Sequence, residues 1–147
     1  MSISQIGRRG QLAAVAAVAA FATSTSFAAS LPVHHEGPVS FVSAGVGQDE
    51  VQAVRAQMPQ WPLVMEFAQH QGNHNVYLAD VAVEVRDAHG QDVLKTRTDG
   101  PYLLAKLPRG RYSITAQAGQ QTQHHVVKVG THPAHVVLVW PGSSSAS

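Results

Sequence analysis

The stretch Asp99-Gly100-Pro101-Tyr102-Leu103-Leu104-Ala105-Lys106-Leu107-Pro108-Arg109-Gly110-Arg111-Tyr112-Ser113-Ile114-Thr115 confines the chain to short strands joined by tight turns. Gly100-Pro101 and Pro108-Arg109-Gly110 are turn sequences, because proline fixes φ and glycine accepts backbone angles that other residues avoid. Only a short strand fits between them, with Tyr102 and Leu104 on one face. Beyond the second turn Tyr112, Ile114 and Ala116 alternate with polar residues, which is the period of a strand with one buried face.

The same alternation recurs along the chain. Tyr77, Ala79, Val81, Val83 and Val85 alternate with Asp80, Glu84 and Arg86, and Asp87-Ala88-His89-Gly90 is a turn. Strands are expected at 92–97, 124–129 and 134–140, and Leu63 to Ala68 is a compact apolar run before a polar loop over His70 to Asn75. Counted from Leu63 this gives seven strands at close spacing, hence an all-β, seven-stranded antiparallel sandwich of immunoglobulin-like type. Ahead of it, Leu31 to Pro38 reads as a mobile arm and Val39 to Val42 as a short extended segment. Asp49 to Met58 reads as one short helix, with acidic residues at its start, Val51, Val54 and Met58 on one face, and Pro59 and Pro62 beyond its end.

Residues 1–28 have the grammar of a cleaved signal peptide: Arg8 and Arg9, an apolar run from Leu12 to Phe21, and small residues before Ala29. Cleavage after Ala28 and after Ala29 both fit. The apolar run is shorter than the roughly 20 residues that cross a bilayer. The expected organisation is therefore a leader (1–28), an arm with the helix (29–61), the sandwich (62–141) and a disordered tail (142–147), in a periplasmic protein without stable membrane insertion. The chain has no cysteine, so burial and hydrogen bonding alone would hold it together in a compartment that permits disulfides. Without Arg8 and Arg9, 8 basic residues face 9 acidic ones. That near-neutral balance excludes a nucleic-acid footprint.

Leu78-Ala79-Asp80-Val81-Ala82-Val83, Asp87-Ala88-His89-Gly90, Thr98-Asp99-Gly100, Leu107-Pro108-Arg109-Gly110-Arg111-Tyr112 and the alternating Val136/Leu138 strand resemble a carboxypeptidase regulatory-like domain, the transthyretin-like or prealbumin-like sandwich. The resemblance covers Tyr77 to Trp140. With Gly45-Val46-Gly47-Gln48-Asp49-Glu50 in front, the chain also looks like small uncharacterised proteobacterial periplasmic proteins. The resemblance implies export, a contact or spacing role and no catalytic residues. The transthyretin-fold hydrolase of urate breakdown carries a C-terminal Tyr-Arg-Gly-Ser signature, whereas this sequence ends Pro141-Gly142-Ser143-Ser144-Ser145-Ala146-Ser147.

Tyr112 after Leu-Pro-x-Gly is expected to be structural, its ring in the core and its hydroxyl on nearby backbone. Gly110 is a turn requirement, Trp140 closes one end of the core, and Trp61 either packs beneath the helix or is exposed. The helix either caps an end or edge of the sandwich, or leaves Gly45 to Glu50 as a loop that meets a partner. Histidine is over-represented, with 9 in the chain. Imidazole suits zinc and copper, and His132 and His135 span a turn that could join them with His124 or His125. Adjacent His124 and His125 point to opposite faces of a strand and cannot grip one ion. Glu66 and Glu84 read as isolated, and no G-x-S-x-G turn is present. No catalytic, cofactor-binding or metal residue is assigned and no cofactor is expected. The expected function is a non-enzymatic envelope module with an unidentified protein partner. The alternative is a periplasmic copper or zinc protein using the histidines.

Overall fold

The computed structural model describes residues 31–142. The leader read over 1–28, its cleavage position and the tail after Gly142 lie outside the described residues. The order is β1 (His34–Glu36), β2 (Val39–Ala44), α1 (Gln48–Gln57), a 3-10 turn (Met58–Gln60), β3 (Leu63–Gln71), β4 (His74–Tyr77), β5 (Ala82–Arg86), β6 (Asp92–Arg97), β7 (Tyr102–Lys106), β8 (Gly110–Ala118), β9 (Gln121–Val129) and β10 (Ala134–Trp140). Sheet one runs β1-β2-β7-β3-β10, with β4 also on β3, and sheet two runs β6-β5-β8-β9. The protein is thus mostly β in two sheets, as expected, but it has ten strands rather than seven.

Three features account for the difference. Val39–Ala44 is an interior strand of sheet one, pairing with β1 on one side and β7 on the other. Residues 31–38, read as a mobile arm, supply β1 and the buried Leu31. The alternating run from Tyr77 to Val85 is two strands, because Asp80 takes a left-handed φ of 61° and the chain there passes from sheet one to sheet two. Thr98, itself buried, ties this crossing: its hydroxyl and carbonyl accept the Val81 and Asp80 N–H groups at 3.0 and 2.9 Å.

The sandwich is also not wholly antiparallel. β10 runs parallel to β3, Ala134 opposite Leu63 through Trp140 opposite Gln69. Side-chain alternation has the same period in parallel and antiparallel pairs, so the sequence pattern carries no sign of direction. β10 and β4 both pair with Ala68 and Gln69, so they occupy opposite edges of β3 and β4 lies beyond the end of β7.

The main core lies between the sheets: Phe41, Leu63, Met65, Phe67, Leu103 and Trp140 from sheet one meet Val83, Val85, Leu94, Tyr112 and Ile114 from sheet two. A second cluster lies on the outer face of sheet one. There Val54 of α1 packs with Leu31, Val42, Ala44, Trp61, Val64, Tyr102 and Leu104, and Val51, Ala53 and Met58 flank it. The helix therefore covers a sheet face, not an end or an edge. Trp61 lies beneath it, with the Lys106 Nζ 5.0 Å from the ring centroid. Gly45, at φ 112°, approaches the Tyr102 ring so closely that a Cβ would sit 2.6 Å from it, which sets the turn leading to α1. Glu50 Oε1 accepts the Gly45 N–H at 3.2 Å.

Candidate functional site

The helix covers only half of the outer face of sheet one. The register fixes what lies on that face, in rows running across the strands. Leu104, Val64 and His135 form one row, Tyr102, Glu66 and Val137 the next, and Tyr77, Ala68 and Val139 the third. α1 covers Leu104, Tyr102 and Val64 and leaves the β10 and β4 positions of these rows open. Val137 is 52% exposed, Val139 38% and Tyr77 51%, side by side on one surface. Isolated exposed apolar residues are ordinary, whereas a contiguous apolar patch rimmed by polar groups is a candidate contact surface.

The polar border begins on the helix. Arg55 Nη2 donates to the Tyr77 hydroxyl at 3.3 Å, and the Tyr102 hydroxyl donates to the same oxygen at 3.1 Å. The two phenol rings lie 5.7 Å apart. Burial first, then the bond to Tyr77 and the nearby Glu66 carboxylate, push the Tyr102 hydroxyl up to about 12. The Tyr77 and Tyr102 hydroxyls in turn raise the Arg55 guanidinium. On the far side of Tyr102, Glu66 Oε2 lies 3.2 Å from His135 Nε2. Sequence reading missed this pair and took Glu66 as isolated, because the partners are 69 residues apart and meet only through the parallel β3–β10 register. A carboxylate–imidazole pair can orient a general base. The described residues place no nucleophilic hydroxyl on it: Ser43, the buried serine, holds the Asp99 N–H at 2.8 Å.

The residues singled out by sequence fall mostly elsewhere. Tyr112 is the corner tyrosine: its ring is in the main core and its hydroxyl donates to the Pro108 carbonyl at 2.6 Å. Trp140 is buried there too, its indole N–H donating to the Gln121 carbonyl at 3.1 Å. His124 and His125 sit opposite Thr115 and Ile114, hence on opposite faces of β9, and His124 Nδ1 lies 3.1 Å from the Thr115 hydroxyl. His132 borders a shallow depression of about 140 Å³ with Trp61, Pro59 and Pro133, whereas His135 turns to Glu66. Among the described residues no three His, Asp or Glu side chains gather as a metal set. Glu66 and His135 supply two donors, fewer than the three protein ligands usual in catalytic zinc sites. A sequence signal for the open face did exist: in Ala134-His135-Val136-Val137-Leu138-Val139-Trp140 both faces are largely apolar, the pattern of a strand covered on both sides.

The outer face of sheet two is the other candidate. A shallow depression of about 420 Å³ there is lined by Glu84, Lys95, Arg97, Thr115 and Gln117. Its charges are largely satisfied in place. Arg86 pairs with Glu84 at 2.6 Å and Asp92 at 2.8 Å, and Arg97 pairs with Asp80 at 3.0 Å. The Arg86 guanidinium holds the Asp92 carboxyl below its ordinary value. Such exposed pairs describe a solvated sheet face. The chain matches no family model, and no curated protein matches it.

Proposed function

We propose that this chain is an exported, non-enzymatic β-sandwich of the carboxypeptidase regulatory-like kind, an interaction or accessory module of the cell envelope. Its contact surface is the uncovered half of the outer face of sheet one. The leader grammar of residues 1–28 supports export, and the corner tyrosine after Leu107-Pro108-Arg109-Gly110 supports the resemblance. The observation that carries the contact role is the row Tyr77, Ala68, Val139, together with Val137. Tyr77, Val137 and Val139 are left in water around the buried Ala68, on an apolar surface continuous with the one α1 covers. Covering a largely exposed valine contributes about 1.5 kcal/mol, so a partner that spans this patch gains from apolar burial without displacing the helix.

Photo-cross-linking in the producing cell tests the reading. A photoreactive residue at Val137 is expected to give one reproducible protein adduct that Val139→Asp removes, while the same residue at Lys95 on sheet two gives none. Equal adducts from both faces, or none from Val137, contradict it.

A further inference from the structure

We propose that Arg55 and Tyr77 form a carboxylate-recognition point, so that the partner segment taken by this face presents one acidic side chain beside aliphatic residues. This inference rests on the contact role proposed above and names its chemistry.

The Tyr77 oxygen accepts from Arg55 and from Tyr102, which uses both of its lone pairs. Its own proton is therefore left to point away from both partners. The guanidinium and the Tyr102 hydroxyl thus both donate to the Tyr77 oxygen, whose own O–H points outward, and such linked bonds polarise one another cooperatively. A guanidinium carries five N–H donors, and among the described residues Arg55 enters no ion pair. A phenolic O–H and unused N–H donors thus converge at one exposed spot, and among the described residues no acceptor other than the Tyr77 oxygen takes a bond there. A carboxylate matches that donor set, one oxygen on the guanidinium and one on the phenol.

Charge sets the number of carboxylates. The Glu66 carboxylate lies close enough to Tyr102 to raise its hydroxyl. It also stands next in its row to Val137. An anion on Arg55 is neutralised by the guanidinium, but a second acidic group further along the floor, beside Val137, would meet Glu66. The occupant is therefore singly acidic, then aliphatic over Ala68, Val137 and Val139. From β4 to β10 is two strand steps, about 10 Å, which an extended peptide crosses in about three residues.

Side-chain NMR of the full chain tests this with the blocked peptide Ac-Glu-Ser-Val-Val-Leu-NH2 and its glutamine twin. The glutamate peptide is expected to shift the Arg55 Nε–Hε signal saturably and to bind at least about fivefold more tightly than its twin. The ratio is expected to fall to near one in Arg55→Gln and to an intermediate value in Tyr77→Phe, both substitutions of side chains that lie outside the core clusters. A ratio near one in the unmodified protein, or one that survives Arg55→Gln, overturns the inference. So does acetate or inorganic phosphate binding at Arg55 as tightly as the peptide, which would assign the spot to a small free anion. Equal binding of both peptides with shifts at Val137 and Val139 removes the carboxylate point and leaves the contact face standing. No shift at either valine removes both.

Discussion

The two outer faces of this sandwich solve the same problem in opposite ways. On sheet two, the residues facing water include Glu84, Arg86, Lys95, Arg97, Thr115 and Gln117, most of the charges pair with one another, and Val126 is a single exposed valine among them. On sheet one, the corresponding positions are Val42, Ala44, Tyr102, Leu104 and Val64, and a helix covers them. The helix stops short of β10, and Val137, Val139 and Tyr77 remain in water. That asymmetry, more than any single residue, separates the covered part of the outer surface from the part that we propose meets a partner.

The comparison breaks most visibly at Trp61, which α1 and the outer face of sheet one share. Trp61→Ala is expected to cost about 3–5 kcal/mol in urea unfolding. A loss below 1 kcal/mol would mean that the helix is not held by this cluster. Alkaline pH probes the same cluster through Tyr102. Its hydroxyl sits at about 12 in the fold against 10.0 ordinarily. Because the folded value is the higher one, the associated stability is complete below pH 10 and is lost as pH rises through 12. Unfolding midpoints should fall over that interval, and Tyr102→Phe should flatten the fall. Tyr112→Phe, which removes the bond to the Pro108 carbonyl in the main core, is expected to cost about 1 kcal/mol at neutral pH. The smallest effect belongs to sheet two: Arg97→Gln removes an exposed pair with Asp80 and should change stability by less than about 0.5 kcal/mol. A larger loss there would make the two faces more alike than the account allows.

What was legible in the sequence was what is local. The Tyr112 corner closes over four residues, the helix was read within one residue of Gln48–Gln57, and the inward positions of β8 and β10 follow from alternation. The sandwich class follows from the spacing of turns. Non-local facts were not legible. Alternation placed Tyr77 in phase with Val81 and Val83, but the left-handed turn at Asp80 resets that phase and sends Tyr77 to the outer face beside Tyr102. The parallel entry of β10 beside β3, which alone joins Glu66 to His135, leaves no trace in either strand. β2 reads as a fragment ahead of the sandwich because its pairing partner, β7, lies 58 residues further on between Ala44 and Tyr102 and 66 between Ser40 and Lys106. The histidine count drew attention to the 132–135 turn, where His135 in fact serves Glu66.

Because the chain has no cysteine, single substitutions provide unambiguous labels for the central claim. Maleimide labelling of Val137→Cys, Val139→Cys and Lys95→Cys, compared between intact cells and purified protein, tests it directly. The account predicts that positions 137 and 139 are protected in the cell and open once purified, while position 95 labels equally in both. Equal labelling at all three positions would show that nothing covers the open half of sheet one, and would contradict it.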